Sequence, residues 1–179
     1  MTAQIKKGFT LIELLIVIAI LGVLAVVVLV AINPVQQLAR TRDAGRISTI
    51  SQLGRAIQSY YTSHNGSYPT VLQWTTGGAT GNILVTSGEV TQIPGLPTQN
   101  PLDGPCITNA VNGWCYQVNG STSFVIFAQL EADVNKTLGT AGCTASTVDA
   151  YAAYSSLLGR TCITCNGIPG AGFNGPCAN

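Results

Sequence analysis

The sequence predicts an α+β protein, in which a long N-terminal helix packs on a small antiparallel sheet and disulfides hold the C-terminal region. Three observations support this fold class. Residues 14–32 form an uninterrupted apolar run of 19 residues. Two segments with strand composition, 114–118 and 124–130, flank the pair Asn119-Gly120, which is typical of a hairpin turn. All six cysteines lie in the C-terminal 74 residues.

The apolar run is long enough to cross a membrane, because a hydrocarbon core about 30 Å thick requires a helix of about 20 residues. Glu13 stands at the start of this run and is the only charge between Lys7 and Arg40. A carboxylate at such a position costs roughly 2.5–3.5 kcal/mol on insertion scales. We therefore expect Glu13 to have either a partner or a function.

The residues around Glu13 resemble the class III signal of type IV prepilins and pseudopilins, in the order Lys6-Lys7-Gly8-Phe9-Thr10-Leu11-Ile12-Glu13. The resemblance implies a cut between Gly8 and Phe9, methylation of the new Phe9 amine, and retention of the apolar segment. An ordinary secretory signal has an apolar run of only 7–15 residues followed by small residues at its cleavage site. A plain membrane anchor leaves Glu13 unexplained.

The same resemblance implies that Glu13 pairs with the Phe9 amine of a neighbouring subunit in a helical filament. Two charges about 4 Å apart gain about 4 kcal/mol at an effective dielectric constant of 20, less their desolvation cost. Such a pair can set the register of apolar helices that otherwise slide along one another. The alternative is that Glu13 only extends to the lipid headgroups.

The function implied is that of a structural pilin, which polymerises into an extracellular type IV pilus for adhesion, twitching motility or DNA uptake. A pseudopilin of a type II secretion system is the alternative within the same machinery, and a membrane-tethered enzyme or receptor is the distant one. The implied partners are other copies of the chain, the prepilin peptidase, the membrane before assembly and an assembly platform in the inner membrane.

The predicted organisation is a series of six segments, each with its own composition. They are a leader (1–8), a membrane-spanning or filament-core helix (9–33), an amphipathic helix (34–64), a loop region (65–105), antiparallel strands (106–131) and a Cys/Gly-rich region (132–179). We expect the two helical segments to be continuous as far as Ser63 and kinked at Asn33-Pro34. The amphipathic helix has an apolar stripe, and His64-Asn65-Gly66 is its predicted stop. The stripe comprises Val35, Leu38, Ile47, Ile50, Leu53, Ile57, Tyr60 and Tyr61.

Beyond the amphipathic helix (34–64), which we call the stem, the sequence predicts a pilin-like head. In this head, the sheet covers the apolar stripe of the stem. A short strand is expected at 83–86, and a short helix at about 148–158 after Ser146 or Thr147 as N-cap. Five aromatic residues are interpreted as core or sheet-packing side chains rather than a ligand site: Trp74, Trp114, Tyr116, Phe124 and Phe127.

An even number of cysteines in an exported head predicts up to three disulfides, with 15 possible pairings. The candidates are Cys106, Cys115, Cys143, Cys162, Cys165 and Cys177, and a Cys106–Cys115 bridge is the first expectation. Disulfides place the head in an oxidising space outside the cytoplasm. The chain is thus expected as a single-pass membrane precursor and later as a surface filament. A zinc or redox pair at Cys162 and Cys165 is the alternative.

The sequence contains no catalytic motif, and no cofactor site is predicted. His64 is interpreted as a helix cap or surface residue. The segment 131–135 has alternating oxygen-bearing side chains that could ligate calcium. Four arginines spread over positions 40–55 are too sparse to indicate nucleic-acid binding. This basic stem and the acidic C-terminal half suit subunits that stack head against stem, although a solvated helix face explains the arginines equally well.

Overall fold

The computed structural model describes residues 8–96, 109–139, 142–145 and 147–178. The chain divides into two compact units, Met1–Leu38 and Ala39–Asn179. The first is helical. The second contains a five-stranded sheet, the C-terminal part of a long helix and several short helices.

Helix α1 (Leu11–Ile32) is the apolar run predicted from the sequence. It ends at Asn33, whose backbone is left-handed with φ 44°, and α2 (Pro34–Ser63) begins at the next residue. Proline suits a first helical position because its ring presets φ and its missing N–H would have no intrahelical partner there. The helix expected to run unbroken to Ser63 is therefore interrupted at Asn33 and not merely kinked.

Helix α2 ends where the sequence predicts. Asn65 and Gly66 both have positive φ, and the Gly66 N–H donates to the carbonyl oxygen of Tyr61 at 3.0 Å. The predicted apolar stripe is buried only from its middle onward, since Val35 and Leu38 are exposed. Buried positions recur every three or four residues along the helix: Ala39, Asp43, Arg46, Ile50, Leu53, Ile57 and Tyr60.

Three short helices follow: α3 (Val71–Thr75), α4 (Gly78–Gly81) and α5 (Ile83–Thr86). The strand expected at 83–86 is therefore wrong. Asn82 caps α5 through its Oδ1, which accepts from the Leu84 N–H at 2.9 Å, while its Nδ2 donates to the Trp74 carbonyl. This cap gives the Leu84 N–H, at the start of α5, a hydrogen-bond partner that the helix itself does not supply. In a strand, this N–H group would need a partner on a neighbouring strand.

The sheet is an antiparallel meander of five strands in chain order. The strands are β1 (Ala110–Val111), β2 (Trp114–Asn119), β3 (Ser123–Leu130), β4 (Ala150–Ser155) and β5 (Arg160–Thr164). The predicted β2–β3 hairpin is confirmed, with Gln117 opposite Val125 and a loop at 120–122. A further short helix, α6 (Asp133–Lys136), follows β3.

The helix expected at 148–158 is wrong, because most of this segment is β4, hydrogen-bonded to β3 and β5. Its alanines favour a helix locally, but here they fit a strand that is buried on both faces. Ala152 and Tyr154 belong to the main core together with α2, and Ala153 belongs to a second cluster on the opposite face. A Cβ at Gly54 would lie 2.3 Å from Cγ of Tyr154, so this glycine allows helix and strand to approach closely.

Two disulfides hold the C-terminal region, Cys143–Cys165 with Cα atoms 4.9 Å apart and Cys162–Cys177 with Cα atoms 5.4 Å apart. Cys162 and Cys165 belong to different bonds, so they do not form the zinc or redox pair considered above. Cys115 is also disulfide-bonded, whereas its expected partner Cys106 lies outside the described residues. The α+β fold class with a disulfide-stapled C-terminal region is confirmed.

The five aromatic residues expected in the core are all buried, none of them more than 1 % exposed. Four lie in the main core between α2, the short helices and the inner face of the sheet: Trp74, Trp114, Tyr116 and Phe124. Phe127 lies in the smaller cluster on the outer face. These positions agree with their interpretation as packing residues.

Candidate functional site

The first candidate site is the start of α1. Gly8, Phe9 and Thr10 precede the helix and are exposed, with Phe9 79 % exposed. A Cβ placed on Gly8 would meet no atom within 4 Å. The peptide bond between Gly8 and Phe9 therefore lies in an open, non-helical segment, which suits approach by another protein.

Glu13 and Thr10 form a reciprocal cap at this helix start. The Glu13 carboxylate accepts hydrogen bonds from the Thr10 backbone N–H at 2.9 Å and from the Thr10 hydroxyl at 2.7 Å. In return, the Glu13 N–H donates to Thr10 Oγ1 at 3.3 Å. This capping box satisfies N–H groups that have no intrahelical partner and places negative charge at the positive end of the helix dipole.

Thr10 was missed as a site residue in the sequence interpretation. The signal was present, since Thr10-Leu11-Ile12-Glu13 has the spacing of a capping box before an apolar run. In the structure, the Glu13 carboxylate is hydrogen-bonded to Thr10 of the same chain. A partner on another subunit therefore has to compete with, or add to, these hydrogen bonds.

The surface of α1 is apolar all round and wholly exposed in the isolated chain. Its mean hydropathy reaches 3.5, and by length and composition it is able to span a membrane. A helix that is apolar on every face is stable only when lipid or protein surrounds it. The exposed fractions of its large side chains, from 45 % at Val17 to 88 % at Leu11, leave that surface available for an external partner.

The second candidate is a charged cluster within the unit Ala39–Asn179. Asp43 and Arg46 are each 1 % exposed and form an ion pair, with Arg46 Nη1 2.9 Å from Asp43 Oδ1. Arg46 also pairs with Glu131 through Nη2, and the Arg42 Nε donates to Glu131 at 2.8 Å. Each buried charge thus faces an opposite charge, as charge burial requires.

Asp43 also binds the segment that follows β3. Its carboxylate accepts from the backbone N–H groups of Glu131 and Ala132, the latter at 2.8 Å, and from Nδ2 of Asn135 at 2.7 Å. The side chains of Glu131 and Asn135 therefore engage stem residues and not a common cation. In the described residues, no group of three or more His, Cys, Asp or Glu side chains is placed to hold a metal ion.

The sequence interpretation missed this cluster because it placed the charges of the helix either on a solvated face or in contacts between subunits, and not in a buried contact within one chain. The signal was the spacing, since Asp43 and Arg46 continue the buried series of Ile50 and Leu53 toward the N-terminus. His64, in contrast, lies where it was expected. It is exposed at the end of α2, with its ring stacked on Tyr60 and its Nδ1 3.0 Å from the Tyr60 carbonyl oxygen.

Comparison with known families matches residues 4–29 to the prokaryotic N-terminal methylation motif. Searches of curated proteins and of solved structures returned no significant match. The matched range contains Gly8, Phe9, the capping box and most of α1. The chain therefore carries the class III signal peptide of type IV pilins and pseudopilins.

Proposed function

We propose that this chain is a structural pilin that polymerises into an extracellular type IV pilus filament. The observation that carries the proposal is a methylation motif joined to a helix that is apolar and exposed on every face. Burial of a large apolar side chain contributes roughly 1.5–3 kcal/mol. The same surface can therefore hold the precursor in the membrane and later hold subunits together.

In this proposal a prepilin peptidase cuts between Gly8 and Phe9 and methylates the Phe9 amine. The open backbone at Gly8 supports access by that enzyme. The cut leaves the capping box intact, since Thr10 and Glu13 both lie after it. The processed subunit then keeps an ordered helix start with a carboxylate close to a new positive charge.

Glu13 sets the register in which neighbouring subunits align, because the hydrophobic effect alone does not select one register. Its carboxylate pairs with the Phe9 amine of a neighbouring subunit during assembly. The hydrogen bonds from Thr10 hold the carboxylate at the helix start until that amine arrives. This arrangement supports a role in alignment over simple extension toward lipid headgroups.

The proposed location follows from the same features. The precursor is a single-pass membrane protein with its head outside the cytoplasm, where an oxidising environment maintains the disulfides. An assembly platform in the inner membrane then extracts it into a surface filament that serves adhesion, twitching motility or DNA uptake. A type II secretion pseudopilin would share the processing but would not form long surface filaments at native expression levels.

The test compares Glu13→Leu and Glu13→Val with the control Ile12→Leu, which alters an exposed apolar side chain in the same turn. Both Glu13 variants should be cleaved and inserted normally but should accumulate as membrane-bound subunits, because the charge that aligns them is absent. The control should assemble as the wild type does. Filaments sheared from the cells are counted by electron microscopy, and processed subunits are measured in membrane fractions.

Normal filament yield from either Glu13 variant would refute the alignment role. Absence of surface filaments from wild-type cells that contain processed subunits would favour the pseudopilin. A membrane-tethered enzyme or receptor predicts neither filaments nor dependence on Glu13.

A further inference from the structure

The C-terminal segment 168–178, called the strap below, crosses the outer face of the sheet. Phe173 packs against the cluster formed there by Val125, Phe127 and Tyr151 with their neighbours. The hydroxyl of Ser155, at the end of β4, donates to the Phe173 carbonyl oxygen at 2.6 Å. The strap thus covers the face of the sheet opposite α2.

The strap ends on the outer edge of β5. Ile163 and Ala178 exchange two backbone hydrogen bonds, with N···O distances of 3.0 and 2.8 Å. Immediately beside this pair, Cys162 is bonded to Cys177. An uncovered edge strand presents unpaired N–H and C=O groups to other chains, and the strap occupies part of that edge.

Besides the disulfide, side-chain packing holds the strap, since Phe173 packs on the outer cluster and Ala178 is buried in the main core. Residues 168–177 contain no helix or strand. The hydrogen bonds described between the strap and the sheet are those made by Phe173 and Ala178. Ordering a segment of this length costs conformational entropy at every residue, which the contacts and the disulfide together offset. The covalent bond anchors the end of the strap beside the Ile163–Ala178 pair.

The two disulfides differ in exposure. Cys143 is 0 % exposed and Cys165 is 9 % exposed, both within the main core. Cys162 is buried, but Cys177 is half-buried at the surface of the strap. A thiolate must reach a sulfur atom to attack a disulfide, so the bond to Cys177 is the more accessible of the two disulfides described.

We propose that Cys162–Cys177 is a redox latch, which a dithiol opens while Cys143–Cys165 remains oxidised. One thiolate of the dithiol attacks Sγ of Cys177 and displaces the Cys162 thiolate. The second thiol then attacks the mixed disulfide and releases Cys177. The dithiol becomes a disulfide, and Cys162 and Cys177 receive two electrons and two protons.

Opening the latch frees the strap while the sheet stays folded. The edge of β5 loses its pairing with Ala178, and the outer cluster around Phe127 loses the ring of Phe173 as its cover. The latch thereby controls access to an apolar face of the sheet and to the edge of β5. This inference does not depend on whether the chain builds a filament.

The first test treats the full-length oxidised protein in detergent micelles with limiting dithiothreitol and traps free thiols with iodoacetamide. Peptide mapping should find Cys162 and Cys177 alkylated at least roughly tenfold faster than Cys143 and Cys165, because the buried pair is reached only after wider opening. Equal rates, or earlier alkylation of Cys143 and Cys165, would overturn the latch.

The second test follows hydrogen exchange after this selective reduction. The amides of Ile163 and Ala178, which pair across the edge of β5, should lose protection, while those of β3 keep it. Protection unchanged at both amides would show that the strap needs no latch, and loss of protection in β3 would show that the bond holds the whole sheet. Either result contradicts the proposal.

Matched variants give the same comparison without a reductant. Cys162→Ser/Cys177→Ser should fold with an exposed strap, and protease should remove the strap while leaving β1 to β5 intact. Cys143→Ser/Cys165→Ser should keep its strap protected for as long as it stays folded. Equal protease sensitivity of the strap in the two variants would count against the latch.

Discussion

The side chain of Asp43 joins α2 to the segment after β3 through several contacts. It neutralises the buried Arg46 guanidinium and accepts from the N–H groups of Glu131 and Ala132. Removing one member of a buried ion pair leaves the other charge desolvated without its full compensation. The effect of a substitution here therefore exceeds that of removing a surface acid.

We predict that Asp43→Ala lowers the free energy of unfolding by about 3 kcal/mol, the lower end of the range for breaking a buried pair, since Glu131 still faces Arg46. Asp133→Ala is the control, because Asp133 is exposed in the first turn of α6, and it should cost well under about 1 kcal/mol. Urea unfolding in detergent micelles, followed by fluorescence of the buried tryptophans, measures both. Similar losses in the two variants would contradict the prediction.

Tyr116 makes the free energy of unfolding of the head fall as the pH becomes alkaline. Burial raises the pKa of Tyr116, and its hydroxyl donates to the Pro69 carbonyl oxygen at 2.8 Å. In the unfolded chain a tyrosine ionises near pH 10, whereas folded Tyr116 stays protonated. Deprotonation therefore favours the unfolded state, so the contribution is complete below about pH 10 and declines above it.

We predict that the free energy of unfolding falls above about pH 10 with a slope of up to about 1.4 kcal/mol per pH unit from Tyr116. Tyr116→Phe should be less stable at pH 8 by about 1 kcal/mol, through loss of the hydrogen bond, but should show a shallower alkaline decline. Urea unfolding at a series of pH values tests this. An identical alkaline slope in the two proteins would mean that Tyr116 does not contribute.

Two glycines of α2 differ in their surroundings: one lies against the sheet and the other is exposed. Gly54 lies under Tyr154 of β4, where a Cβ would be 2.3 Å from Cγ of the ring. Gly45 lies on the exposed side of the same helix, and a Cβ there would meet nothing within 4 Å. Replacing each glycine by alanine therefore separates the effect of packing against Tyr154 from the effect of helix propensity.

We predict that Gly54→Ala lowers the free energy of unfolding by about 1–3 kcal/mol through overpacking. Gly45→Ala should raise it by about 0.5–1 kcal/mol, because alanine is the better helix former. In a Tyr154→Ala background, Gly54→Ala should lose most of its cost, as a double-mutant cycle would reveal. A Gly54→Ala protein as stable as Gly45→Ala would show that this contact does not limit the packing of α2.

At the scale of the whole molecule, the chain combines a unit that contains the exposed apolar helix α1 with a unit that has its own buried core. Helix α1 of the first unit is stable only when lipid or other helices surround its apolar surface. The second can bury its sheet by itself. The proposed processing at the N-terminus falls in the first unit and should leave the disulfide-held head unchanged.

We predict that mass spectrometry of the mature protein finds methylated Phe9 at the N-terminus, with residues 1–8 absent. Gly8→Leu should block the cut and leave precursor in the membrane, because a branched side chain hinders close approach to the backbone. Gly22→Ala, within α1, serves as the control and should be processed normally. A mature chain that begins after Ala31 would contradict the class III processing.

The local features could be predicted from the sequence because neighbouring residues determine them. The apolar helix, the stop at Asn65 and Gly66, and the β2–β3 hairpin follow from composition and turn chemistry. Glu13 was predicted as a site residue from its isolation in an apolar segment, and this role stays a prediction. The capping box with Thr10 was equally local and was missed only because its spacing was not considered.

The remaining features depend on residues that are far apart in the chain, and only the tertiary structure decided them. Ala150–Ser155 is a strand because it pairs with β3 and β5 and receives α2 at Gly54, against its own helix propensity. Asp43 is buried because Arg46 neutralises it and the backbone N–H groups of Glu131 and Ala132 donate to it there. Cysteine pairing depends on which distant segments lie beside β5. The sequence by itself determined the class III signal, the apolar helix and the turns. The fold determined which charges, strands and cysteines meet, because long-range packing can outweigh local preference by several kcal/mol.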